Sequence, residues 1–206
     1  MTYSCYRITF EKVCDVTKSW RLVTNTDYSS ALFSFSGGGL RVSLGKIELV
    51  DISCYLKWLS DPEVNKYLEA RHQKYSKSTL TQWIYASQNS KDSEIFSLID
   101  DLSETPIGTL RISRINLRYK TCDLGLMIGD KNFWGKGYGT ESIKKACTYL
   151  KDSGFRKVHA GAYSANIGSI KSFLKNDFST EGRYIAEVID DSTGMLDDIL
   201  LMSKFL

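Results

Sequence analysis

The chain has few of the residues from which proteins usually build metal centres. Two histidines, His72 and His159, accompany five widely spaced cysteines among 206 residues, and no CxxC pair occurs. This pattern argues against a structural zinc site, so we expect no metal. It favours reduced thiols in a cytoplasmic protein. The five cysteines are Cys5, Cys14, Cys54, Cys122 and Cys147.

Long apolar runs and a large excess of one charge are also absent from the sequence. No segment approaches the roughly 18 consecutive apolar residues that a membrane helix needs. The chain has 27 basic and 24 acidic side chains, for a net charge of +3. That balance predicts neither a nucleic-acid partner nor a membrane partner. Residues 1–16 alternate polar and apolar types and include Glu11 and Asp15, so we expect no signal peptide.

The sequence divides into a short first part and a longer second part. Residues 1–39 contain two strand-like stretches and end in a Ser-Gly-Gly-Gly joint, so we expect an extension packed on a main domain of residues 40–206. In the main domain, strand-like segments and amphipathic helices follow one another in mixed order. This order predicts an α+β or α/β fold with a central sheet.

Particular signals place the elements of the main domain. Asp51 is predicted to cap a first helix, and Asp61-Pro62-Glu63 to start a second. Residues 122–128 alternate, with Cys122, Leu124, Leu126 and Ile128 on one face and Asp123, Gly125 and Met127 on the other. Further strands are predicted at 94–100, 106–115, 157–163, 180–188 and 197–205, and further helices around 80–84, after residue 140, and at 166–176.

Three glycines stand at alternate positions in the segment NFWGKGYGTE, residues 132–141. The segment joins a strand to a helix, where the first helical N–H groups lack partners and the helix dipole is positive. Glycines 135, 137 and 139 would let a phosphate approach these amides, with Lys136 adding charge. A Walker loop is not matched, and a dinucleotide GxGxxG motif fails at Thr140. A coenzyme A pyrophosphate site and a ligand-free turn remain as alternatives.

The combination of WGKGYGTE, a preceding alternating strand, and NIGS followed by Phe178 resembles the GNAT superfamily of N-acetyltransferases. The run SDPEVNKYL at residues 60–68 and the IGD before the glycine loop are similar to the branch of ribosomal-protein alanine and amino-sugar acetyltransferases. The resemblance covers about residues 40–206. It implies a mixed, mostly antiparallel sheet that is splayed at an acetyl-CoA site, with helices on both faces.

The resemblance also implies which residues bind the cofactor. Trp134 stands where the family motif usually has Gln or Arg, and Gly137 and Gly139 stand at its glycines. The amides of residues 136–140 would hold the pyrophosphate, and the N–H of Met127 or Ile128 would polarise the thioester carbonyl. The full set is Leu126, Met127, Ile128, Trp134, Gly135, Lys136, Gly137, Tyr138, Gly139, Thr140, Asn166 and Ser169. Asn166 is equally well read as a simple helix cap.

The residues that move protons are less determined by the sequence. Many members of the superfamily carry a tyrosine acid seven residues after the asparagine, where this chain has Phe173. Ser169 or Tyr163 could instead support the leaving sulfur. Asp123 or Glu187 could accept the proton of the amine through a water. For each carboxylate, a solvated surface group is the alternative.

The acceptor is expected to be a primary amine of a small molecule, bound by a monomer or homodimer. The resemblance implies that Lys66, Arg71, His72 and Lys74 line the acceptor pocket, and their charge favours an amine that bears phosphates, such as a nucleotide-linked amino sugar. A protein N-terminus and an aminoglycoside are alternatives. A module that binds acyl-CoA without turnover is another, because the tyrosine acid is missing.

Overall fold

The computed structural model describes residues 41–190 and 193–206, so the predicted extension of residues 1–39 lies outside the described residues. Within them, seven strands form one sheet in the order β1-β2-β3-β4-β5-β7-β6. The strands are β1 Val42–Gly45, β2 Glu94–Asp100, β3 Pro106–Asn116, β4 Thr121–Ile128, β5 Lys157–Tyr163, β6 Ser179–Ile189 and β7 Leu196–Phe205. The helices are α1 Ile52–Ser60, α2 Pro62–Asn65, α3 Lys77–Gln88, α4 Tyr138–Asp152 and α5 Ile167–Leu174, with 3-10 turns at Leu49–Asp51, Glu69–His72 and Lys131–Phe133.

The centre of the sheet is splayed between β4 and β5. These two strands are parallel, whereas the other neighbouring pairs are antiparallel. Their ladder runs from the pair Thr121–Lys157 to the pair Asp123–His159. Beyond it, β4 continues to Ile128 against β3, and β5 continues to Tyr163 against β7. A gap therefore opens toward the C-terminal ends of the two strands, which confirms the predicted mixed, splayed sheet.

Helices cover both faces of the sheet, each over its own hydrophobic cluster. The predicted apolar face of β4 packs with α4 and α5, through residues such as Ile143 and Phe173. Met127, from the other face of β4, packs with α1 and α3 through residues such as Tyr55 and Leu80. The alternation predicted for residues 122–128 is therefore confirmed.

The starts of the first two helices differ from each other in a way that the sequence does not reveal. Asp61 caps α2 as predicted, because its carboxylate accepts a hydrogen bond from the N–H of Glu63 at 2.9 Å. The predicted cap at Asp51 is wrong, since its side chain makes no capping hydrogen bond to α1. Asp51 ends a 3-10 turn with helical backbone angles (φ −86°, ψ −1°). A capping side chain needs an extended residue from which to reach the first amides.

The three described cysteines differ in their exposure, while Cys5 and Cys14 lie outside the described residues. Among the described residues, Cys54 is an exposed free thiol, and Cys122 and Cys147 are buried free thiols. Burial raises the pKa of Cys122 to about 12 and that of Cys147 to about 11. In this part of the chain no helix has the length and apolar character to cross a membrane. No three His, Cys, Asp or Glu side chains of the same residues gather as metal ligands.

Candidate coenzyme and acceptor site

The edge of β4 that faces the gap presents backbone groups at alternate residues. The N–H of Gly129, which follows the strand, donates to the carbonyl of Ile107 at 2.8 Å. Hydrogen-bonded pairs alternate in an antiparallel ladder, so the N–H of Met127 faces β3, and those of Leu126 and Ile128 face the gap. The prediction that Met127 donates to a thioester carbonyl therefore does not fit this register. Ile128, its predicted alternative, does.

The side chain of Trp134 closes the far end of this free edge. Its indole Nε1 donates to the carbonyl of Ile128 at 2.7 Å, and the ring is 41% exposed. The contact confirms that the backbone of Ile128 turns away from β3. Trp134 therefore contacts β4 through its indole nitrogen and remains partly exposed.

The three glycines of the loop differ in backbone conformation. Gly135 (φ +70°) and Gly137 (φ +90°) occupy the left-handed region that favours glycine. Gly137 is also the N-cap of α4, so the unpaired amides of the first turn begin directly after it. Gly139 lies inside α4, where an added Cβ would make ordinary contacts with Leu126 and Ser172 at 3.6 Å or more. The predicted requirement for an open backbone therefore applies to Gly135 and Gly137.

Tyr138 anchors the mouth of α4 by its side chain. The residue is buried, and its hydroxyl donates to Asp100 on β2 at 2.7 Å. Its ring meets that of Phe133 edge-on, with 4.9 Å between the ring centres. Burial alone would raise the pKa of Asp100, but hydrogen bonds from Tyr138 and Ser103 outweigh it and lower that pKa. Tyr138 can therefore reach a ligand through its amide, while its hydroxyl belongs to the core.

Helix α5 packs beside the start of α4. The side-chain oxygen of Asn166 accepts from the N–H of Ser169 at 3.2 Å, so the helix-cap reading of Asn166 is correct. Its amide nitrogen makes no hydrogen bond within the described residues and can still serve a ligand. Asn176, at the far end of α5, donates to the carbonyl of Thr140 at 3.0 Å. The end of α5 is thereby held against the first turn of α4.

Tyr163 ends β5 at the mouth of the gap and has charged partners on both sides. Its hydroxyl accepts from Nη1 of Arg71 at 3.0 Å and donates to the carboxylate of Glu69. Burial and the hydrogen bond to Glu69 raise the pKa of Tyr163, and Arg71 opposes them. The ring of Tyr67 meets that of Tyr163 edge-on at 6.0 Å. Sequence reasoning missed Glu69. It lies in a turn 94 residues before Tyr163, and nothing in the neighbouring sequence distinguishes it from other surface acids.

The two predicted proton acceptors lie in different places. Asp123 belongs to the last β4–β5 pair, where the gap begins, and its carboxylate is paired with Arg114. Glu187 is exposed in a bulge of the edge strand β6, and it has no hydrogen bond or ion pair within the described residues. The nearby carbonyl of Ile189 accepts from Arg71 at 3.2 Å, so the end of β6 approaches the Tyr163 cluster. The structure therefore does not bring the two acids together.

The basic residues predicted around the acceptor stand on the turn after α2. Arg71 is engaged with Tyr163 and with the carbonyls of Lys66 and Ile189. Lys66 lies over the ring of Tyr67 at 5.2 Å, and Lys74 is exposed. The two acids at the start of α2 share one cation, since Nζ of Lys131 lies 2.8 Å from Asp61 and 2.6 Å from Glu63. With Lys131 counted, four basic side chains stand here against the three carboxylates of Asp61, Glu63 and Glu69.

A splayed sheet with a free strand edge, leading to a glycine loop at a helix N-terminus, is an arrangement that can accommodate an acyl-CoA in the gap. Comparison with protein families agrees with this class. The family described as "Acetyltransferase (GNAT) domain" matches residues 41–179. The chain therefore belongs to the GNAT family of acetyltransferases, as the sequence resemblance implies.

Two curated relatives match most of this chain, and one of them is named as an N-acetyltransferase. An uncharacterized N-acetyltransferase, p20, of Bacillus licheniformis is 26% identical over 79% of this chain and 92% of its own. The uncharacterized protein MJ1062 of Methanocaldococcus jannaschii is 26% identical over 74% of this chain, which spans 32% of that longer protein.

Two solved structures share the fold. A spermidine N-acetyltransferase from Vibrio cholerae, in complex with CoA and spermine, has a TM-score of 0.71 at 17% identity, covering 80% of this chain and 95% of its own. The microcin C7 self-immunity acetyltransferase MccE, in complex with acetyl-CoA and AMP, has a TM-score of 0.69 at 22% identity, covering 81% and 93%. Both carry the cofactor predicted for this chain, acetyl-CoA or its free coenzyme.

Proposed function

We propose that this protein transfers the acetyl group of acetyl-CoA to a primary amine of a small molecule that carries phosphate, such as a nucleotide-linked amino sugar. One observation carries the proposal. The gap between β4 and β5 is lined on one side by backbone N–H groups of Leu126 and Ile128, and it ends at the mouth of α4. A cofactor with a peptide-like arm and a pyrophosphate end fits such a slot.

The residues of the glycine loop and of α5 hold the cofactor. The amides of residues 136–140 bind the pyrophosphate, because they are unpaired and lie at the positive end of the helix dipole. Asn166 and Ser169 contact the arm from α5, and the N–H of Ile128 polarises the carbonyl of the acetyl group. When bound, acetyl-CoA supplies an acetyl group already activated as a thioester. The chain's own task is then to orient the amine and to move its proton.

Tyr163 has the best support among the predicted proton-transfer residues. It stands at the mouth of the gap, on the strand that leads to Asn166, and its hydroxyl is part of a chain from Arg71 to Glu69. In this scheme Glu69 accepts the proton of the attacking amine, and Tyr163 donates a proton to the leaving sulfur. Asp123 is held by Arg114, so it fits the role of proton acceptor less well.

The acceptor class rests on the charge of the wall beyond Tyr163. With Lys131 included, four positive charges (Lys66, Arg71, Lys74 and Lys131) stand there against three carboxylates (Asp61, Glu63 and Glu69). Such a surface favours an anionic acceptor over a polycation. MccE, whose structure contains AMP beside acetyl-CoA, is a fold relative that binds a nucleotide. The V. cholerae relative acts on spermidine, which makes a polyamine the natural counter-example to test.

A panel of amines incubated with acetyl-CoA, followed by thiol release, tests the proposal. The panel contains a nucleoside-diphosphate amino sugar, the same sugar without the nucleotide, an alanyl peptide, an aminoglycoside and spermine. We expect the highest kcat/KM for the nucleotide-linked sugar, with a loss of about tenfold or more when the phosphates are removed. A preference for spermine or for the peptide would overturn the proposed acceptor class.

A matched pair of variants tests the proton-transfer residues. Tyr163→Phe should lower kcat about 100-fold, because it removes the hydroxyl that links Glu69 to the gap. Tyr67→Phe is the control: its ring packs on Tyr163, and its hydroxyl donates to the carbonyl of Ala165 at 3.3 Å. The control should keep most of its activity. Equal activity of the two variants would remove Tyr163 from the mechanism.

A module that binds acyl-CoA without turnover is the second candidate function. Phe173, which stands at the position of the missing tyrosine acid, is 2% exposed and stacks edge-on with Phe178 at 4.9 Å. That position therefore belongs to the core and offers no proton. Tight coenzyme A binding without thiol release for any amine of the panel would favour the module over the enzyme.

A further inference from the structure

Arg41, which directly precedes β1, joins the edge of the sheet to the glycine loop. Its Nη2 donates to the carbonyl of Lys136 at 2.7 Å. Its Nε and its backbone N–H donate to the carboxylate of Glu141 at 3.1 and 2.9 Å. The guanidinium also lies over the ring of Tyr138, 4.5 Å from the ring centre. A single side chain therefore holds the loop, the first turn of α4 and its buried anchor.

The hydrogen bond to Lys136 fixes the orientation of one peptide group. In a trans peptide the N–H points opposite to the C=O. Because Arg41 holds the carbonyl of Lys136, the N–H of Gly137 points away from Arg41. Gly137 has φ +90° and can therefore accept this orientation without strain. Arg41 thus sets the direction of the first amide at the mouth of α4.

The contacts with Glu141 solve an electrostatic problem at the same place. A carboxylate in the first turn stabilises α4 through the helix dipole. The same negative charge would repel a pyrophosphate bound to the neighbouring amides. Arg41 cancels that charge by pairing with both carboxylate oxygens. Glu141 still stabilises α4 through the helix dipole, and its screened charge no longer repels an anion at the neighbouring amides.

We propose that Arg41 is the positioning residue of the pyrophosphate-binding loop: it aims the Gly137 amide and screens Glu141 from the bound phosphates. The inference rests on the proposed coenzyme A site. It adds to that site Arg41, which directly precedes β1 and lies outside the glycine motif. Arg41 acts through the loop and has no part in the acetyl transfer itself. Its loss should weaken cofactor binding and leave the handling of the amine intact.

Isothermal titration with coenzyme A and with dephospho-coenzyme A tests the inference in the full-length protein. Arg41→Met should weaken binding of both ligands about tenfold or more, because both contain the pyrophosphate. Arg183→Met, which breaks the ion pair with Asp198 on the β6–β7 hairpin, is the matched control and should bind like the wild type. A loss limited to coenzyme A would place Arg41 at the 3′-phosphate and overturn the assignment.

A second-site variant separates screening from a merely structural role. In Arg41→Met/Glu141→Gln the unscreened carboxylate is gone, so we expect at least threefold of the lost affinity to return. A structural loss caused by the broken contacts would not be repaired by a second broken contact, and no recovery would count against screening. Arg41→Lys keeps the charge, and it replaces Arg41→Met in these titrations if the methionine variant does not fold.

The outcomes for the proposal and for the site itself are distinct. Wild-type protein that fails to bind coenzyme A would overturn both the site and the role of Arg41. Wild-type binding with unchanged affinity in Arg41→Met would overturn the role of Arg41 alone. In turnover assays the KM for acetyl-CoA should rise in Arg41→Met, while the KM for the amine stays within about twofold of the wild-type value.

Discussion

Replacing Gly137 by alanine tests whether the glycine loop serves a ligand or only a turn. Gly137 has φ +90°, and Gly154, just past the other end of α4, has φ +82°. An added Cβ has room at both positions: at Gly137 its nearest neighbour is Nη2 of Arg41 at 3.4 Å, and at Gly154 nothing lies within 4 Å. The cost of alanine therefore comes from the backbone angle alone and should be alike at the two sites.

The size of each effect follows from these geometries. An alanine in the left-handed region costs roughly 1–2 kcal/mol, so each variant should melt about 2–8 °C lower than the wild type. Only Gly137 precedes the amides proposed to hold the pyrophosphate, since the 15 residues of α4 place Gly154 about 22 Å away. If alanine turns one such amide away, a charge-assisted hydrogen bond worth about 1.5–3 kcal/mol is lost. Coenzyme A affinity should then fall roughly 10- to 150-fold.

The assay pairs thermal unfolding with calorimetric titration of coenzyme A for both variants. We expect similar melting temperatures, weakened coenzyme A binding in Gly137→Ala, and wild-type binding in Gly154→Ala. Equal affinity in the two variants, at equal loss of stability, would refute the reasoning. The positive backbone angles would then explain the glycines as parts of a turn, and the phosphate site would have to lie elsewhere.

Two further predictions concern buried groups. Tyr138→Phe should lower the free energy of unfolding by about 1.5–3 kcal/mol at pH 7, because it removes a donor from the Asp100 carboxylate. The lowered pKa of Asp100 means that this stabilisation is present above about pH 4 and is lost as pH falls through the folded-state pKa. Urea titrations at pH 7 and pH 3 should show the difference between variant and wild type shrinking; a constant difference would contradict it. In native protein at pH 8, Cys54 should react with a thiol reagent, while Cys122 and Cys147 should react only after unfolding. The raised pKa values of the two buried thiols leave almost no reactive thiolate. Peptide mass spectrometry would locate the label, and fast labelling of Cys122 or Cys147 in the native protein would contradict their burial.

The parts of the fold that follow from local sequence are predicted well. The alternation of residues 122–128 predicts both faces of β4, because successive side chains of a strand point to opposite sides. The strands at 94–100 and 157–163 have the predicted bounds. Local patterns fail where the backbone departs from the regular form: the 3-10 turn before α1 removes the cap expected from Asp51.

The parts of the site that depend on distant contacts could not be predicted in this way. Glu69 meets Tyr163 across 94 residues, and Arg41 meets Glu141 across 100. No periodicity or motif links such positions, since the pairing exists only after the sheet has formed. The choice between Met127 and Ile128 as donor likewise needs the register of β3, which the sequence of β4 does not contain. The glycine loop is visible in the sequence because its unusual angles restrict the residue type at the positions themselves.

The separate packing of the two sides of the sheet has a consequence for how this scaffold can change. Helices α1 and α3 and the start of α2 rest on a cluster of their own, which β4 joins through Met127. The helix behind the glycine loop rests on the opposite cluster. With the amine and coenzyme A bound as proposed, we expect mutations in the layer of α1 and α3 to change amine specificity without changing the packing of α4 behind the coenzyme site. New acceptor preferences could then arise in this molecule while coenzyme A binding is kept.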